Sequence, residues 1–330
     1  MKLGKKDLTK SIFIVAEIGN NHEGDLQTAL NLVDAASQTG VDAVKFQTFN
    51  PKKYYAISEI ERIKKLEEFK LSYDDFVKIK DFAEERNLIF FSTPFDIDSA
   101  KFLREIQSIF KISSGDNTFW RLIKEVNSYN LPTIISTGAS NLKQIDKIYD
   151  YWKRSEELSK LCLLHCVSSY PVPVEEANLR MIKQLISRYK DITVGYSDHT
   201  LGIEAAVSSA SIGARLIEKH FTLDKNYSSF RDHLLSADPK EMKLLVERVR
   251  QIELLYGTQD CEVQPCEENI IGHIKRSLAA NKNLNKGTVI KPEMIMCVRP
   301  GKGIPEEDEY KIIGTTLKKN MIAGELFTIQ

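Results

Sequence analysis

The sequence alternates eight times between a short β-rich run and an amphipathic helical pattern, from residue 12 to about residue 256. The eight candidate strands are residues 12–18, 41–48, 88–93, 109–114, 132–137, 161–167, 192–197 and 215–220. Eight such units over roughly 245 residues have the size and order of a TIM (β/α)8 barrel. A doubly wound open sheet is the alternative, but it often begins with a glycine-rich phosphate turn that residues 17–24 lack.

The pattern changes after residue 256. Residues 257–275 show no clear periodicity and are predicted to be a linker. Residues 276–330 hold short strand patterns with turn signals and one short acidic helix, which indicates a β-rich module of about 55 residues, at the low end of domain size. We therefore expect a barrel domain over residues 1–256, followed by the linker and a small second domain.

Composition excludes several classes of protein. Lys plus Arg and Asp plus Glu both number 46, so no chain-wide charge favours nucleic acid or an anionic membrane. No apolar run reaches the roughly 20 residues that span a bilayer, and the amino-terminal apolar run lacks a small-residue cleavage site. The five cysteines form no CxxC pair, which is typical of reduced thiols. Together these features predict a cytoplasmic protein.

Polar side chains recur at the carboxyl ends of the predicted strands. Because strand residues alternate between faces, Glu17, Lys45, Lys111, Glu218 and His220 are predicted to point into the barrel. Gln47 shares the inward face of Lys45, and the other strand ends add further polar groups: Ser92, Thr93, Ser136, Thr137, Ser168, Ser169, Tyr170, Ser197, Asp198 and His199. Active sites of TIM barrels lie at this end of the strands, so the sequence predicts one site there.

The residue types indicate the chemistry of that site. A single strand-end Ser usually caps a helix, but a ring of inward charges is costly unless a ligand neutralises it. Two lysines with several hydroxyls suit a phosphate and a carboxylate. The imidazoles of His199 and His220 would suit one divalent ion with positions left open for substrate. Their spacing carries no ligand signature, and each histidine taken singly also fits a core position.

At these residues the chain resembles the nonulosonic acid (sialic acid) synthase family. The matching segments follow the family's order through the barrel: AEIGNNHEGD (16–25), DAVKFQT (42–48), FFSTPFD (90–96), FKISSGD (110–116), IISTGAS (134–140), SSYPVP (168–173), GYSDHTLG (195–202) and IEKHFTLD (217–224). The tail, with RSLAANKNLNKGTVI and VRPGKGI, resembles the family's C-terminal antifreeze-like (SAF, β-clip) domain.

The resemblance implies a metal-dependent condensation of phosphoenolpyruvate with an N-acetylmannosamine-type hexosamine. It implies catalytic roles for Glu17, Glu218, Lys45 and Lys111. It implies that Mn²⁺, Mg²⁺ or Co²⁺ is bound by His199 and His220. Substrate-binding positions are implied for Gln47, Thr93, Ser114, Asp116, Ser136, Ser168, Tyr170, Ser197, Asp232 and Arg299. It also implies a domain-swapped homodimer, in which Arg299 of the tail reaches the barrel of the partner subunit.

The chain departs from the family pattern at three places. Asp116 stands where the family often has Glu, and Ser168 stands where an Asn is common. Residues 228–233 read SSFRDH instead of a GPD loop, with Asp232 as the equivalent aspartate. All three differences lie where the sugar or phosphate would be held, so they leave the identity of the hexosamine open.

Two other functions remain as alternatives. One is a phosphoenolpyruvate-dependent synthase of the Kdo-8-phosphate or DAHP type, which would lack a tail like residues 276–330. The other is a non-catalytic carbohydrate-binding barrel, which would not need Lys45, Lys111, His199 and His220 together.

Overall fold

The computed structural model describes residues 1–257 and 260–328. These residues form two compact units, Met1–Gly257 and Thr258–Gln330. The division falls within one residue of the predicted end of the barrel domain. Among the helices of the described residues, none has both the length and the apolar character needed to cross a bilayer.

The first unit contains eight parallel strands. They are β1 Phe13–Gly19, β2 Ala43–Thr48, β3 Ile89–Pro94, β4 Phe110–Ile112, β5 Thr133–Ser136, β6 Leu161–His165, β7 Thr193–Asp198 and β8 Leu216–His220. Their order is β3-β2-β1-β8-β7-β6-β5-β4, so each strand lies beside its sequence neighbour and β8 returns to β1. This order is that of a (β/α)8 barrel, which confirms the predicted fold and excludes the doubly wound sheet.

A side chain bridges the seam of the barrel. The two ends of the strand order, β3 and β4, have no backbone ladder between them among the described strands. The backbone N–H of Ser92 donates to Gln107 Oε1 at 2.7 Å, and Gln107 Nε2 donates to the carbonyl of Ser92 at 3.2 Å. The side-chain amide of Gln107 therefore makes the two hydrogen bonds with the backbone of Ser92 that a neighbouring strand would otherwise make.

Twelve α-helices are present in the described residues. They are α1 Leu26–Ser37, α2 Pro51–Tyr54, α3 Ile60–Phe69, α4 Tyr73–Glu85, α5 Ile97–Arg104, α6 Trp120–Ser128, α7 Leu142–Arg154, α8 Arg180–Arg188, α9 Glu204–Ile212, α10 Arg231–Leu235, α11 Pro239–Tyr256 and α12 Glu268–Ile274. Local capping fixes where several of them begin. Ser72 with Asp75 and Asn141 with Gln144 form capping boxes at α4 and α7.

The barrel has two apolar layers, which follow from the alternation of strand residues. Ile14 and Ala16 face the helices, whereas Phe13 and Val15 belong to a separate cluster inside the barrel. An amino-terminal hairpin, Lys2–Leu3 with Lys6–Asp7, was not predicted from the sequence. Leu3 and Leu8, in and just after this hairpin, join the inner cluster. Apolar residues thus fill the interior near the amino ends of the strands, and the polar residues lie towards the carboxyl ends.

The second unit contains a small antiparallel sheet of β9 Ser277–Ala280 and β10 Ile295–Val298. A 3₁₀ helix, Glu306–Lys311, occupies the position of the predicted acidic helix. The last strand pattern of the sequence forms only isolated bridges in the described residues, such as Leu284 with Met321. Helix α12 lies within the segment predicted to be a linker.

Candidate active site

Four inward-facing charges from four different strands form a buried ring. Lys45 Nζ lies 2.7 Å from Glu17 Oε2 and 3.7 Å from Glu218 Oε2. Lys111 Nζ lies 3.4 Å from Glu218 Oε1. Each of the four residues is at most 4 % exposed. The structure therefore brings together the four residues for which catalytic roles were predicted; the roles themselves stay predictions.

Neighbouring polar side chains hold this ring in position. Each contributes one hydrogen bond: Ser197 Oγ donates to Glu218 Oε1 at 2.9 Å, Lys45 Nζ donates to Thr93 Oγ1 at 3.2 Å, and Gln47 Nε2 donates to Glu17 Oε1 at 3.2 Å. Ser136 Oγ is buried and finds no hydrogen-bond partner within residues 1–257 and 260–328. A buried hydroxyl without a partner is unusual, and here it is available to a ligand.

The two carboxylates of the ring differ in proton affinity. Burial raises the pKa of Glu17 to about 7 despite the nearby Lys45. Burial also acts to raise the pKa of Glu218, but the cations Lys111 and Lys45 outweigh it and lower that pKa below its usual range. Burial lowers the pKa of Lys111. Two carboxyl groups whose environments separate their pKa values are suited to different roles, one exchanging protons and one remaining ionised.

Two histidines lie beside this group of four buried charges. The centroids of the imidazoles of His199 and His220 are 5.5 Å apart. His199 Nδ1 lies 2.7 Å from the carbonyl oxygen of Val167, which can only accept, so this nitrogen carries the proton and Nε2 keeps its lone pair. Burial lowers the pKa of His199 to about 4 and that of His220 well below its ordinary value. Both imidazoles are therefore neutral near pH 7, the form that binds metal ions.

This donor set fits a divalent ion with open coordination positions. A metal-binding histidine usually donates its other ring N–H to a carbonyl or carboxylate, as His199 does to Val167. In the part of the chain that the structure describes, no group of three or more His, Cys, Asp or Glu side chains converges as a ligand cluster. The protein would thus supply two nitrogen ligands, and substrate or water would fill the remaining positions.

An aromatic ring covers the histidines. Tyr170 stacks on His199 with ring centroids 4.2 Å apart and an interplanar angle of 29°. The guanidinium of Arg231 lies 5.0 Å from the centroid of Tyr170, and Arg231 Nε donates to Asp232 Oδ1 at 3.3 Å. Arg231 and Asp232 belong to the SSFRDH segment that differs from the family pattern, and they begin helix α10. Both therefore lie beside the predicted sugar-binding tyrosine.

A cavity of about 650 Å³ opens beside these residues. Six of its lining residues were predicted from the sequence: Gln47, Ser114, Ser168, Tyr170, His220 and Asp232. Ser168 Oγ donates to Ser114 Oγ at 2.7 Å. Asp116 does not line the cavity but accepts a hydrogen bond at 2.7 Å from Oγ of the lining residue Ser113. Burial raises the pKa of both Asp116 and Asp232.

One wall of the cavity was missed by the sequence analysis. Residues in and beside α2 and α3 form it, including Tyr54, Tyr55, Arg62, Lys65 and Phe69. The connection between β2 and α4 spans residues 49–72, far longer than the 2–6 residues typical of such loops. That unusual length is the signal that could have identified this wall, because long ordered loops at this end of a barrel often carry binding residues.

Arg299 is the predicted site residue that lies in the second unit. It is exposed, and its Nε donates to the carbonyl of Ile274 at 2.7 Å. Its predicted action on a partner's barrel stays a prediction.

Comparisons with known proteins relate both units to one kind of enzyme. The sequence profile of the NeuB family matches residues 32–261, and that of the SAF domain matches residues 275–330. An uncharacterized protein of Methanocaldococcus jannaschii, MJ1065, is 39% identical, covering 97% of this chain and 95% of the relative. The N,N'-diacetyllegionaminic acid synthase of Legionella pneumophila is 37% identical, covering 94% and 92%. The N,N'-diacetyllegionaminic acid synthase of Campylobacter jejuni is 34% identical, covering 96% of this chain and 99% of the relative.

A solved structure agrees with these matches. The N-acetylneuraminic acid (sialic acid) synthetase of Leptospira borgpetersenii, determined in complex with citrate, superposes with a TM-score of 0.78. It is 34% identical and covers 82% of this chain and 94% of its own.

Proposed function

The chain belongs to the NeuB family and carries a SAF domain, and we propose from this membership that it joins phosphoenolpyruvate to an N-acetylated, mannosamine-type hexosamine. The products are a nonulosonic acid and phosphate. The observation that carries the proposal is the buried ring of Lys45, Lys111, Glu17 and Glu218 beside two neutral histidines. A binding protein for neutral sugars has no need of buried lysines in this arrangement.

The lysines support an anionic substrate. Lys45 and Lys111 are buried within β2 and β4, and both pair with carboxylates. Phosphoenolpyruvate carries a phosphate and a carboxylate, which would bind the ammonium groups alongside these carboxylates. The unpartnered Ser136 adds a hydroxyl donor, whereas Ser197 Oγ already donates to Glu218. Much of the rate enhancement would then come from holding the two substrates in reacting geometry.

His199 and His220 would hold the divalent ion, with Mn²⁺, Mg²⁺ and Co²⁺ as candidates. When bound, such an ion supplies Lewis-acid polarisation of the sugar aldehyde. The chain's own contribution is to keep both imidazoles neutral and to orient His199 through Val167.

The reaction requires proton transfers that the carboxylates of the ring can perform. A bond forms between C3 of phosphoenolpyruvate and the aldehyde carbon, and water adds to C2. The C2–O bond to phosphate then breaks, leaving a ketone. The water gives up two protons, one to the aldehyde oxygen and one to the departing phosphate. Glu17, with a pKa near 7, is suited to accept and return these protons, while Glu218 stays ionised beside Lys111.

The cavity supports a sugar with apolar substituents. Its wall includes Tyr54, Phe69, Phe95 and Phe230, whereas Tyr170 and Asp232 offer polar contacts. Acetamido methyl groups pack favourably on aromatic rings. For this chain, the names of the two N,N'-diacetyllegionaminic acid synthases support a diacetamido sugar as substrate, and that of the sialic acid synthetase supports N-acetylmannosamine. We propose the diacetamido hexosamine as the better substrate.

We further propose a homodimer in which the tail of one subunit serves the barrel of the other. Arg299 is exposed, and within residues 1–257 and 260–328 only its Nε donates a hydrogen bond, to the carbonyl of Ile274. Its terminal guanidinium nitrogens are therefore available to a sugar or carboxylate.

All five cysteines are free, which supports a reducing compartment such as the cytoplasm.

A phosphate-release assay tests the function. The full-length protein is incubated with phosphoenolpyruvate, Mn²⁺ and a panel of acceptors: N-acetylmannosamine, a 2,4-diacetamido hexosamine, and phosphorylated aldoses. We expect phosphate release with the N-acetylated sugars and a nine-carbon keto acid by mass spectrometry. Release with phosphorylated aldoses alone would indicate a Kdo-8-phosphate or DAHP-type synthase. No release with any acceptor would indicate a non-catalytic protein.

A further inference from the structure

A fully buried ion pair lies behind the candidate active site, on the outer face of the barrel strands. Lys219 Nζ is 3.0 Å from Asp198 Oδ2, and both side chains are 0 % exposed. Lys219 pairs with Asp198 in the register of β8 and β7, one position beyond the pair of Glu218 with Ser197. Because strand residues alternate, this ion pair faces the helices while the neighbouring residues face the site.

The ion pair closes a turn around His199. Asp198 Oδ1 accepts hydrogen bonds from the backbone N–H of Thr200 at 2.9 Å and from Thr200 Oγ1 at 2.8 Å. Lys219 Nζ donates to the carbonyl of Thr200 at 2.6 Å as well as to Asp198. Lys219 therefore binds both sides of a three-residue turn whose central residue is His199, a local arrangement typical of Asx turns. We call Asp198, Thr200 and Lys219 the clamp.

The clamp connects the two histidine-bearing segments. Lys219 directly precedes His220 on β8, and its ammonium group holds the turn that carries His199. On the other side, the backbone N–H of Val172 donates to the carbonyl of His199 at 3.0 Å, and His199 Nδ1 donates to Val167. The clamp thus binds the backbone next to His199 and includes the residue before His220, while Val172 and Val167 contact His199 itself.

Stability alone is a weak reason for such a pair. Burying two charges costs desolvation free energy that their attraction often only offsets, and apolar replacements of similar volume are frequently as stable. What an apolar pair would not supply is the set of directed hydrogen bonds to Thr200. The energetics therefore point to a role in fixing one backbone conformation.

We propose that the clamp is a positioning device that sets the separation and ring orientation of His199 and His220. The ligand it serves is a divalent metal ion, and this part rests on the proposed function. Asp198, Thr200 and Lys219 would not touch the metal or the substrates.

The test removes the charges but keeps the shape, with Asp198→Asn combined with Lys219→Met in the full-length protein. Selective ¹⁵N labelling of the six histidines reports the ring tautomer of His199 without any ligand. We expect wild-type protein to show protonated Nδ1 and the double variant to show exchange between tautomers. Calorimetric titration with Mn²⁺ should show an affinity about 10–100-fold weaker in the variant, the range seen when supporting residues of a metal site are removed.

A matched control uses a surface ion pair. Asp146 and Arg188 form a bidentate pair between helix α7 and helix α8, and Asp146→Asn with Arg188→Met makes the same chemical change there. This control should keep the histidine spectra and the Mn²⁺ affinity of the wild type. A folded clamp variant that behaves like this control in both measurements would overturn the proposal.

A second variant covers the case in which the double variant does not fold. Thr200→Val removes only the hydroxyl hydrogen bond and keeps the backbone N–H to Asp198. We expect it to fold, to show tautomer exchange at His199 and to bind Mn²⁺ several-fold more weakly. Unchanged spectra and affinity in this variant would also overturn the proposal. If wild-type protein binds no divalent ion, the proposed metal site fails, and the ligand-free tautomer comparison still decides the role of the clamp.

Discussion

The two units of the chain differ in what they bury. The barrel unit buries Glu17, Lys45, Lys111 and Glu218 within its strands. In residues 260–328 of the second unit, the buried positions are apolar with the exception of Ser277. Buried charge is costly without a partner or ligand, so its restriction to the barrel marks where the chemistry is performed. The second unit would take part in chemistry only through exposed groups such as Arg299.

The largest expected effect is at the histidines. His199→Ala or His220→Ala should abolish turnover and keep the fold, because each removes one of the two protein ligands proposed for the metal. Phosphate release, with circular dichroism for the fold, measures this. His273→Ala, an exposed histidine of α12, is the control and should keep full activity. Full activity in either site variant after chelation of metal would contradict the metal assignment.

The next prediction tests whether the apolar core of the second unit unfolds independently of the barrel. Leu278 is fully buried there, and Leu278→Ala should lower the free energy of unfolding of that unit by about 2–5 kcal/mol. We expect calorimetry to show one transition shifted downwards and the barrel transition unchanged. Ile322→Ala, at an exposed position of the same unit, should change neither. A single transition in which both units shift together would show that their stabilities are coupled.

A smaller effect is expected when one cation of the ring is removed. Lys45→Met and Lys111→Met should each lower kcat/KM for phosphoenolpyruvate at least about tenfold, since a hydrogen bond to a charged group contributes roughly 1.5–3 kcal/mol. Steady-state kinetics with varied phosphoenolpyruvate measures it. Lys64→Met, at an exposed lysine of α3 that pairs with Glu61, is the control. Kinetics like those of the control in both variants would make the lysines structural.

The smallest signal comes from mixing two variants that are each expected to be impaired, Lys111→Met and Arg299→Ala. In a mixed dimer, the tail of the first would serve the intact barrel of the second. Random exchange makes about half of the dimers mixed, each with one complete site, so activity should recover to about a quarter of the wild type. Subunit exchange is verified with two fluorescent labels. Proven exchange without recovery would place the action of Arg299 within its own subunit or make the tail purely structural.

The sequence predicted the barrel because each of its eight units is encoded locally. Alternation of apolar residues fixed the faces of the strands, and this alone places Glu17 and Lys111 inside the barrel. The long connection that contains α2 and α3 was missed because the site was located from polar residues at strand ends. The aromatic residues of this connection are neither polar nor at the end of a strand. Gln107 was missed because a side chain that replaces a backbone ladder has no periodicity.

What the sequence alone determined is which residues face inward and in what order the units follow. It could not determine which charges neutralise each other, because Lys45 and Glu218 are separated by most of the barrel along the chain and meet only when β8 returns to β1. The pairing of Lys219 with Asp198 depends in the same way on the register of two neighbouring strands. Local periodicity fixes directions, whereas distances between side chains depend on how the closed barrel sets its strands side by side, and only the tertiary structure decides that.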